Sequence, residues 1–237
     1  MGQGDLREHI SLVSAAGIAA PANLAVALES AGDRIRSRAG QMIVTAGTRS
    51  DDVYIVLAGC VRVTVFSAEG REVVMRDQNA GSFFGDLAAI DGGRRSASII
   101  AVTDAQLLTV GGSKFRALVL ATPEAAGWFT THLVAQVRSL TERVIELSTL
   151  NVRSRLHCHL LRLCAVAGVA DNRAVIDPLP THEVLATMIG SHREAVTREI
   201  SFLASVGIIS QTRRRLDVRD VGRLADLVRQ VGGAPAG

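Results

Sequence analysis

The hydrophobic pattern of the chain changes twice along its length, and it defines three regions. Residues 22–31 have helical periodicity, and short alternating runs separated by glycine follow from Asp33 onward. Alternation is clearest in residues 61–66, where three valines are predicted to share one face and Arg62 and Thr64 the other. The first region is therefore predicted to be a short amphipathic helix followed by β structure.

The β region is predicted to contain many short strands joined by tight turns. The predicted strands are Val53–Leu57, Val61–Phe66, Glu72–Arg76, Ala97–Val102 and Gln106–Val110. Ala68-Glu69-Gly70 is a predicted turn, and the last two strands are predicted to pair around Thr103-Asp104-Ala105. Strands of this length and spacing favour a closed or two-sheet β domain, of which a jelly roll is one solution.

The second region is a long helix with a narrow apolar stripe. From Glu124 to Leu150 the periodicity is helical, and the stripe has spacings of 4, 3, 4 and 3 residues. Its members are Leu133, Val137, Leu140, Val144 and Leu147. Such a heptad seam typically pairs with a copy of itself, so we predict a parallel homodimer. The alternative is that the helix packs on its own domain.

The third region begins where residues 150–153 interrupt the heptad. A helix is predicted from Ser154 to Val166, followed by a loop or short hairpin over residues 168–180, which contain two prolines. The sequence therefore predicts a domain over residues 1–150, ending in the dimer helix, and a second domain over 151–237.

Two closely spaced helices are predicted in the second domain. Thr181 is suited to cap the first, and Gly190 supplies the left-handed residue that ends it. Ser191 or His192 caps the second, which turns Val196, Ile200 and Leu203 inward. This layout is typical of a helix-turn-helix, whose second helix enters the major groove of DNA.

The outward face of the second helix carries groups that can distinguish base pairs. Arg193 and Arg198 can each contact O6 and N7 of guanine, and Glu194 can accept from the amino group of cytosine. Thr197 lies on the same face. Two wing strands are predicted over Val206–Ile209 and Leu216–Val218, and the arginines between them, Arg213, Arg214 and Arg215, suit contacts with phosphate.

Charge is distributed in agreement with this division. Residues 1–150 carry 14 basic and 15 acidic side chains, and residues 151–237 carry 12 and 8. The excess of positive charge thus lies in the predicted DNA-binding domain. No apolar run is long enough to span a bilayer, and the first residues lack the pattern of a signal peptide, so the sequence predicts a cytoplasmic protein with no membrane partner.

The residues from Gly190 to Arg198 resemble the recognition helix of the cyclic-AMP receptor protein/FNR family, and the order of regions along the chain is also similar. Its Arg-Glu-x-x-x-Arg motif, which in the receptor protein reads TGTGA half-sites, matches at Arg193, Glu194 and Arg198. His192 replaces a serine that touches phosphate. The DNA-contacting residues expected from pattern and resemblance are Thr181, His182, Ser191, His192, Arg193, Glu194, Thr197, Arg198, Arg213, Arg214 and Arg215.

Residues 84–97, FGDLAAIDGGRRSA, resemble the phosphate-binding cassette of cyclic-nucleotide domains. A glycine beside an acid, a short helical turn with free N–H groups and an arginine nine residues later can cradle a cyclic phosphate and a ribose. The resemblance implies that Arg95 pairs with the phosphate, Ser96 supports it and Asp86 takes the ribose 2′-hydroxyl. The expected nucleotide-binding residues are Phe84, Gly85, Asp86, Leu87, Ala88, Arg95, Ser96, Ala97, Leu140 and Thr141.

Departures from the family pattern leave the effector open. Asp86 stands where the family has glutamate, which shortens the reach of the carboxylate by about 1.5 Å. Leu140-Thr141 matches a threonine-serine pair that contacts adenine in the receptor protein, so one hydroxyl is lost. Ser96 resembles the hydroxyl by which cyclic-GMP domains hold the guanine amino group. We expect cyclic AMP as effector. One alternative is cyclic GMP, or both nucleotides. The other alternative is a degenerate pocket that binds no nucleotide, which would make the regulator independent of an effector.

Other sensors and enzymatic activity are not expected. The three cysteines include no N-terminal cluster for iron and sulfur, and Cys60 is a single candidate haem ligand with no supporting pattern. No metal site is expected, because the histidines and cysteines of residues 157–164 cannot all face one ion from one helix. Residues 151–237 contain no catalytic set. The resemblance implies double-stranded DNA, a second copy of the chain and RNA polymerase as partners, the last through residues 168–180.

Overall fold

The computed structural model describes residues 10–66 and 72–231, so the turn predicted at residues 68–70 lies outside the described residues. The chain divides into two compact units at the bond between Ser139 and Leu140. The boundary falls inside the long helix, ten residues before its last residue, Thr149.

The N-terminal unit contains two four-stranded antiparallel sheets. The first has the order β1-β8-β3-β6 and the second the order β2-β7-β4-β5. Their strands are β1 (Asp33–Ser37), β2 (Met42–Val44), β3 (Val53–Ala58), β4 (Cys60–Phe66), β5 (Glu72–Asn79), β6 (Phe83–Phe84), β7 (Ser98–Ala101) and β8 (Ala105–Val110).

The first sheet is covered on both faces. Val56 and Leu107 pack against Val61 and Ile99 of the second sheet. The opposite face packs on three helices: α1 (Ala22–Ala31), α3 (Gly112–Val119) and the first half of α4 (Pro123–Thr149). Burial on both sides explains why β3 and β8 are apolar along most of their length. A short helix, α2 (Asp86–Asp91), follows β6.

Two predictions about the strands are wrong. The strands at 97–102 and 106–110 do not pair with each other, because β7 and β8 belong to different sheets. Val65 does not share the buried face of Val61 and Val63, because the register of β4 with β5 shifts between Val63 and Thr64. The bulge turns the Thr64 side chain inward, where it is fully buried.

The C-terminal unit packs helices on a three-stranded sheet of order β10-β11-β9. Its elements are α5 (Val152–Ala167), β9 (Ala174–Ile176), α6 (His182–Met188), α7 (Arg193–Ser205), β10 (Ile209–Thr212), β11 (Arg215–Val218) and α8 (Val221–Val231). Strand β9 lies in the predicted loop or hairpin over residues 168–180 and pairs with β11. The first wing strand begins at Ile209, three residues after its predicted start, because Val206 ends α7.

One apolar core, built around Leu156, Leu160, Leu185 and Leu203, joins the helices to the sheet of this unit. The predicted α+β class is confirmed: a β jelly roll, a long helix and a winged helix-turn-helix follow one another along the chain.

Candidate functional site

A left-handed glycine places the acid of the predicted nucleotide pocket. Strand β6 ends at Phe84, Gly85 follows with a φ of 90°, and α2 begins at Asp86. A Cβ atom at Gly85 would lie 2.5 Å from the carbonyl oxygen of Asp52 and 2.6 Å from Nη1 of Arg95. Glycine therefore serves two needs here, the backbone conformation and the close approach of Arg95.

Arg95 is 4% exposed and is held by three acceptors of the protein. Its Nε donates to Oγ of Ser50 at 2.8 Å, Nη1 to the carbonyl of Gly85 at 3.1 Å, and Nη2 to the carbonyl of Asp52 at 2.7 Å. Each Nη carries two hydrogens, so one on each nitrogen is available to a further acceptor. The guanidinium is thus oriented beside Asp86 and keeps two donors for an anion.

Asp86 is 5% exposed, and α4 supplies its neighbours. Its Oδ2 lies 3.5 Å from Nε2 of His132 and 3.4 Å from Nε2 of Gln136. These two residues are four apart, so they share one face of the helix. The sequence prediction missed both, although polar residues at that spacing beside apolar positions were a visible signal.

The imidazole of His132 is fixed from two sides. Its Nδ1 accepts the N–H of Ala15 at 2.8 Å, and its ring stacks on Phe83 with the ring centres 4.3 Å apart. Because Nδ1 accepts a backbone N–H, a neutral ring carries its proton on Nε2, which lies 2.6 Å from Nε2 of Gln136 and 3.5 Å from Oδ2 of Asp86. Two polar side chains of α4 therefore lie beside the carboxylate.

Arg76 reaches the same cluster from β5. Its Nη2 donates to Oε1 of Gln136 at 2.8 Å, while its Nε is enclosed and has no hydrogen-bond partner among the described residues. Burial lowers the pKa of Arg76, and the negative charge of Asp86 opposes that shift. The sequence prediction missed Arg76 as well, since it appeared only as the last residue of a strand.

The remaining cassette residues have varied environments. Phe84 is buried and stacks on Tyr54 with the ring centres 5.1 Å apart. Ala88 is buried, whereas Leu87 is 47% exposed and Ser96 is exposed. The half-buried residue Ala97 follows. Leu140 and Thr141, the predicted base contacts, belong to the C-terminal unit, and their role stays a prediction.

No helix in the described ranges is both long and apolar enough to cross a membrane. Likewise, within residues 10–66 and 72–231, no three His, Cys, Asp or Glu side chains are grouped so that they could hold a metal ion.

The predicted helix-turn-helix is formed by α6 and α7. Thr181 caps α6 by accepting the N–H of Val184 at 3.3 Å. Gly190 has a φ of 63°, and the N–H of Ser191 donates to the carbonyl of Ala186 at 2.8 Å, which closes the turn. His192 is the N-cap residue of α7, but its side chain makes no capping hydrogen bond.

The outward face of α7 carries the predicted base-reading residues. Arg193, Glu194 and Arg198 are exposed, whereas Val196 is fully buried. Thr197 is exposed too, and its Oγ1 lies 2.9 Å from Nδ1 of the half-buried His182. The structure therefore brings together the three side chains that can distinguish base pairs.

A cluster of Glu199, His157 and Arg153 joins this helix to α5. Glu199 is 3% exposed, whereas the side chain of Arg153 is 69% exposed. Oε1 of Glu199 lies 2.8 Å from Nε2 of His157, and its Oε2 lies 3.2 Å from Nε of Arg153, both on α5. Glu199 directly follows Arg198, so the cluster helps to keep that arginine outward. The sequence prediction missed Glu199, although an acidic residue on the apolar face of α7 was a visible signal.

The tip of the wing presents arginines to solvent. Arg213 and Arg214 lie in the turn between β10 and β11 and are exposed, with a φ of 47° at Arg213. Arg215 is exposed too and pairs with Asp217, Nη2 to Oδ1, at 2.9 Å, which raises the pKa of Arg215. Two of the three predicted phosphate-contacting arginines therefore project from the turn, and the third already pairs with a carboxylate.

Comparison with protein families identifies the two modules. Residues 34–122 match the cyclic nucleotide-binding domain, and residues 154–227 match the Crp-like helix-turn-helix domain.

Individual relatives lead to the same family. The chain is 27% identical over 168 residues to the cAMP-activated global transcriptional regulator CRP of Haemophilus influenzae, covering 70% of this chain and 75% of the relative. It is 28% identical to the cyclic AMP receptor protein of Thermus thermophilus, covering 79% and 84%. A solved CRP/FNR-family transcriptional regulator from Thermus thermophilus is 27% identical, with a TM-score of 0.66, covering 84% and 100%.

Proposed function

Because the chain belongs to the CRP/FNR family of transcriptional regulators, we propose that it is a homodimer whose binding to DNA is controlled by a purine cyclic nucleotide. The observation that carries the proposal is the placement of Arg95 against Gly85, directly beside Asp86. A guanidinium with two available donors suits a cyclic phosphate, and an adjacent carboxylate suits a ribose hydroxyl. The exposed residues Arg193, Glu194 and Arg198 supply the output, which is sequence-specific binding to DNA.

The coupling between the two activities is proposed to begin at Asp86. A ribose hydroxyl that donates to the carboxylate of Asp86 would change the contacts of Asp86 with His132 and Gln136. Both of these residues lie on α4. The same helix continues to Thr149. Differential binding of the nucleotide to two states of this helix would shift the population toward the state with higher affinity for DNA.

Homodimerisation is supported by the exposed apolar stripe of α4. The predicted seam residues Val137, Leu140, Val144 and Leu147 are 62%, 46%, 63% and 45% exposed in the single chain. Leu133, the first member, is half-buried in the core of the N-terminal unit. An apolar stripe of this length favours a partner of matching chemistry, and a second copy of the helix supplies one.

Cyclic AMP is proposed as effector because the names of the relatives contain it. Ser96, with its exposed hydroxyl after Arg95, supports cyclic GMP. RNA polymerase as partner and a cytoplasmic location are proposed from the family alone.

A second candidate function is effector-independent regulation, and one observation favours it. The donors of Arg95 already have three protein acceptors, and the carboxylate of Asp86 already has neighbours on α4. Both groups are thus satisfied in part before any ligand enters, which lowers the advantage of binding one.

Calorimetry on the full chain with cyclic AMP and with cyclic GMP distinguishes the two functions. We expect binding of at least one nucleotide, and in anisotropy titrations a higher affinity for DNA in its presence. Arg95→Ala removes charge-assisted hydrogen bonds to the phosphate and is expected to weaken nucleotide binding roughly a hundredfold.

Arg94→Ala is the matched control, because Arg94 is the exposed neighbour and its Nη1 bonds only the carbonyl of Gly47 among the described residues. The Arg94→Ala variant should bind nucleotide with the affinity of the wild-type protein. If neither nucleotide releases heat and affinity for DNA is the same with and without them, the gated function is wrong and the effector-independent one is favoured.

A further inference from the structure

We infer that Arg76 is a specificity-determining residue of the nucleotide pocket and that it makes cyclic GMP, rather than cyclic AMP, the preferred effector. The inference rests on the proposed function, since it presupposes that a cyclic nucleotide binds beside Asp86 and Arg95. It adds which purine is recognised and which side chain reads it.

The first argument is the position of Arg76 relative to the two ligand-binding groups. Arg95 contacts the carbonyl of Gly85, on the main-chain side of Asp86. Arg76 lies on the carboxylate side, because it and Asp86 share Gln136 as a partner, at 2.8 Å and 3.4 Å. A nucleotide whose phosphate meets Arg95 and whose ribose meets Asp86 has one part left, the base. Arg76 is a cation within electrostatic reach of Asp86 that neither of these two contacts uses.

The second argument is that the hydrogen-bonding capacity of Arg76 is largely unused. The side chain has five N–H donors, and among the described residues only its bond to Gln136 is recorded. Its Nε is enclosed by protein and has no partner among residues 10–66 and 72–231, so a ligand would meet this side chain through its Nη hydrogens. One of those four hydrogens donates to Gln136, and the other three have no acceptor within the same residues. A ligand acceptor can therefore bind the guanidinium without displacing a bond of the protein.

The third argument concerns which purine offers such acceptors. Guanine carries two adjacent acceptors, O6 and N7, which a guanidinium meets with two parallel hydrogen bonds. Adenine replaces O6 by an amino group, which is a donor, and arginine has no acceptor to offer it. An arginine facing the base therefore favours guanine, whereas an arginine that only balances the charge of Asp86 is indifferent to the base.

Gln136 is the positioning residue for this contact. Its Oε1 holds Nη2 of Arg76, and its Nε2 lies near Asp86, so the base-reading group and the ribose-binding group are tied to the same side chain of α4. Recognition of guanine would thus reach the helix through the same residue as recognition of the ribose.

The test is calorimetry on the full chain with three probes: cyclic GMP, cyclic AMP and cyclic IMP. Cyclic IMP keeps O6 and N7 of guanine but lacks its 2-amino group, so it separates a contact with Arg76 from one with Ser96. We expect the wild-type protein to bind cyclic GMP and cyclic IMP at least about tenfold more tightly than cyclic AMP.

Arg76→Met preserves the length of the side chain without its donors, and Arg76→Lys preserves the charge without the paired donors. Both are expected to lose most of the preference for cyclic GMP and cyclic IMP while their affinity for cyclic AMP changes little. Arg62→Met is the matched control on the neighbouring strand, where Arg62 bonds both carboxylate oxygens of Asp77 instead. It should keep the wild-type preference.

The outcomes separate the two levels of the proposal. Tighter binding of cyclic AMP than of cyclic GMP, or an equal loss of all nucleotides in Arg76→Lys, overturns this inference and leaves the gated function standing. A preference for cyclic GMP that cyclic IMP does not share overturns it also, since the amino group and not O6 is then being read. Binding of none of the three overturns the gated function together with the inference.

Discussion

The arginines of this protein have different environments, and at the scale of single residues their environments indicate their roles. Arg95 has three protein acceptors, which hold it in place and leave two donors for a ligand. Among the residues that the structure describes, Arg76 has one hydrogen-bond partner, and its enclosed Nε has none. Arg193 and Arg198 are exposed on α7. Rigidity favours a phosphate contact of fixed geometry, and unused donors favour an additional ligand group.

The exposed arginines of the C-terminal unit are expected to fall into two classes in DNA binding. Arg193→Ala or Arg198→Ala should cost about 1–3 kcal/mol on the cognate site and relax the base preference at one position of each half-site. Neutralising Arg213 and Arg214 should weaken binding to all DNA about equally and flatten the dependence of affinity on salt.

The measurement is a set of anisotropy titrations on specific and random duplexes at several salt concentrations. Equal losses on both duplexes for both sets of variants would contradict the division into base-reading and phosphate-contacting residues.

At the scale of elements, helix α4 carries most of the proposed coupling. Its first half contributes His132 and Gln136 to the pocket, and its exposed stripe continues through Val144. Near its end, Arg143 donates to the carbonyl of Met188, the last residue of α6. The last turns of α4 are thus tied to the helix-turn-helix within the C-terminal unit.

Val144→Asp is expected to dissociate the homodimer, because the aspartate would place a buried charge at the centre of the paired stripes. Ser139→Asp introduces the same charge off the stripe and should leave the dimer intact. Sedimentation or light scattering at micromolar concentration measures the oligomeric state, and the loss of high-affinity binding to a two-half-site duplex measures its consequence. A Val144→Asp protein that remains dimeric would exclude the predicted seam as the interface.

The elements depart from their sequence predictions in two respects, the side chains that a strand buries and the strand with which it pairs. A bulge at Val63/Thr64 reverses the alternation in β4, and the turn after β7 leads into the other sheet. Alternation along one strand does not reveal either event, because both depend on which strand lies alongside.

At the scale of the whole molecule, the proposal predicts the symmetry of the DNA site. Two copies of α7 related by a twofold axis require a palindrome whose half-site centres are about one helical turn apart, and the matching motif predicts TGTGA-like halves. Binding-site selection with and without the nucleotide should enrich this palindrome more strongly with it. Enrichment of single half-sites, or of directly repeated ones, would contradict a twofold dimer.

The elements and modules of this chain could be predicted from its sequence, because they depend on signals that are local. The sequence predicts the helix at residues 22–31 with its observed bounds and the long helix within one residue at each end. Thr181 and Gly190 were recognised by their chemistry as the cap and the left-handed residue of the helix-turn-helix. The resemblance of residues 84–97 to a phosphate-binding cassette assigns roles to Arg95 and Asp86, and these roles stay predictions.

The tertiary structure alone reveals the groups that join the candidate pocket from distant parts of the chain. His132 and Gln136 meet Asp86 across 46 and 50 residues, and Arg76 meets Gln136 across 60. Glu199 similarly meets His157 across 42 residues. No local pattern encodes such meetings, because they follow from how sheets and helices pack.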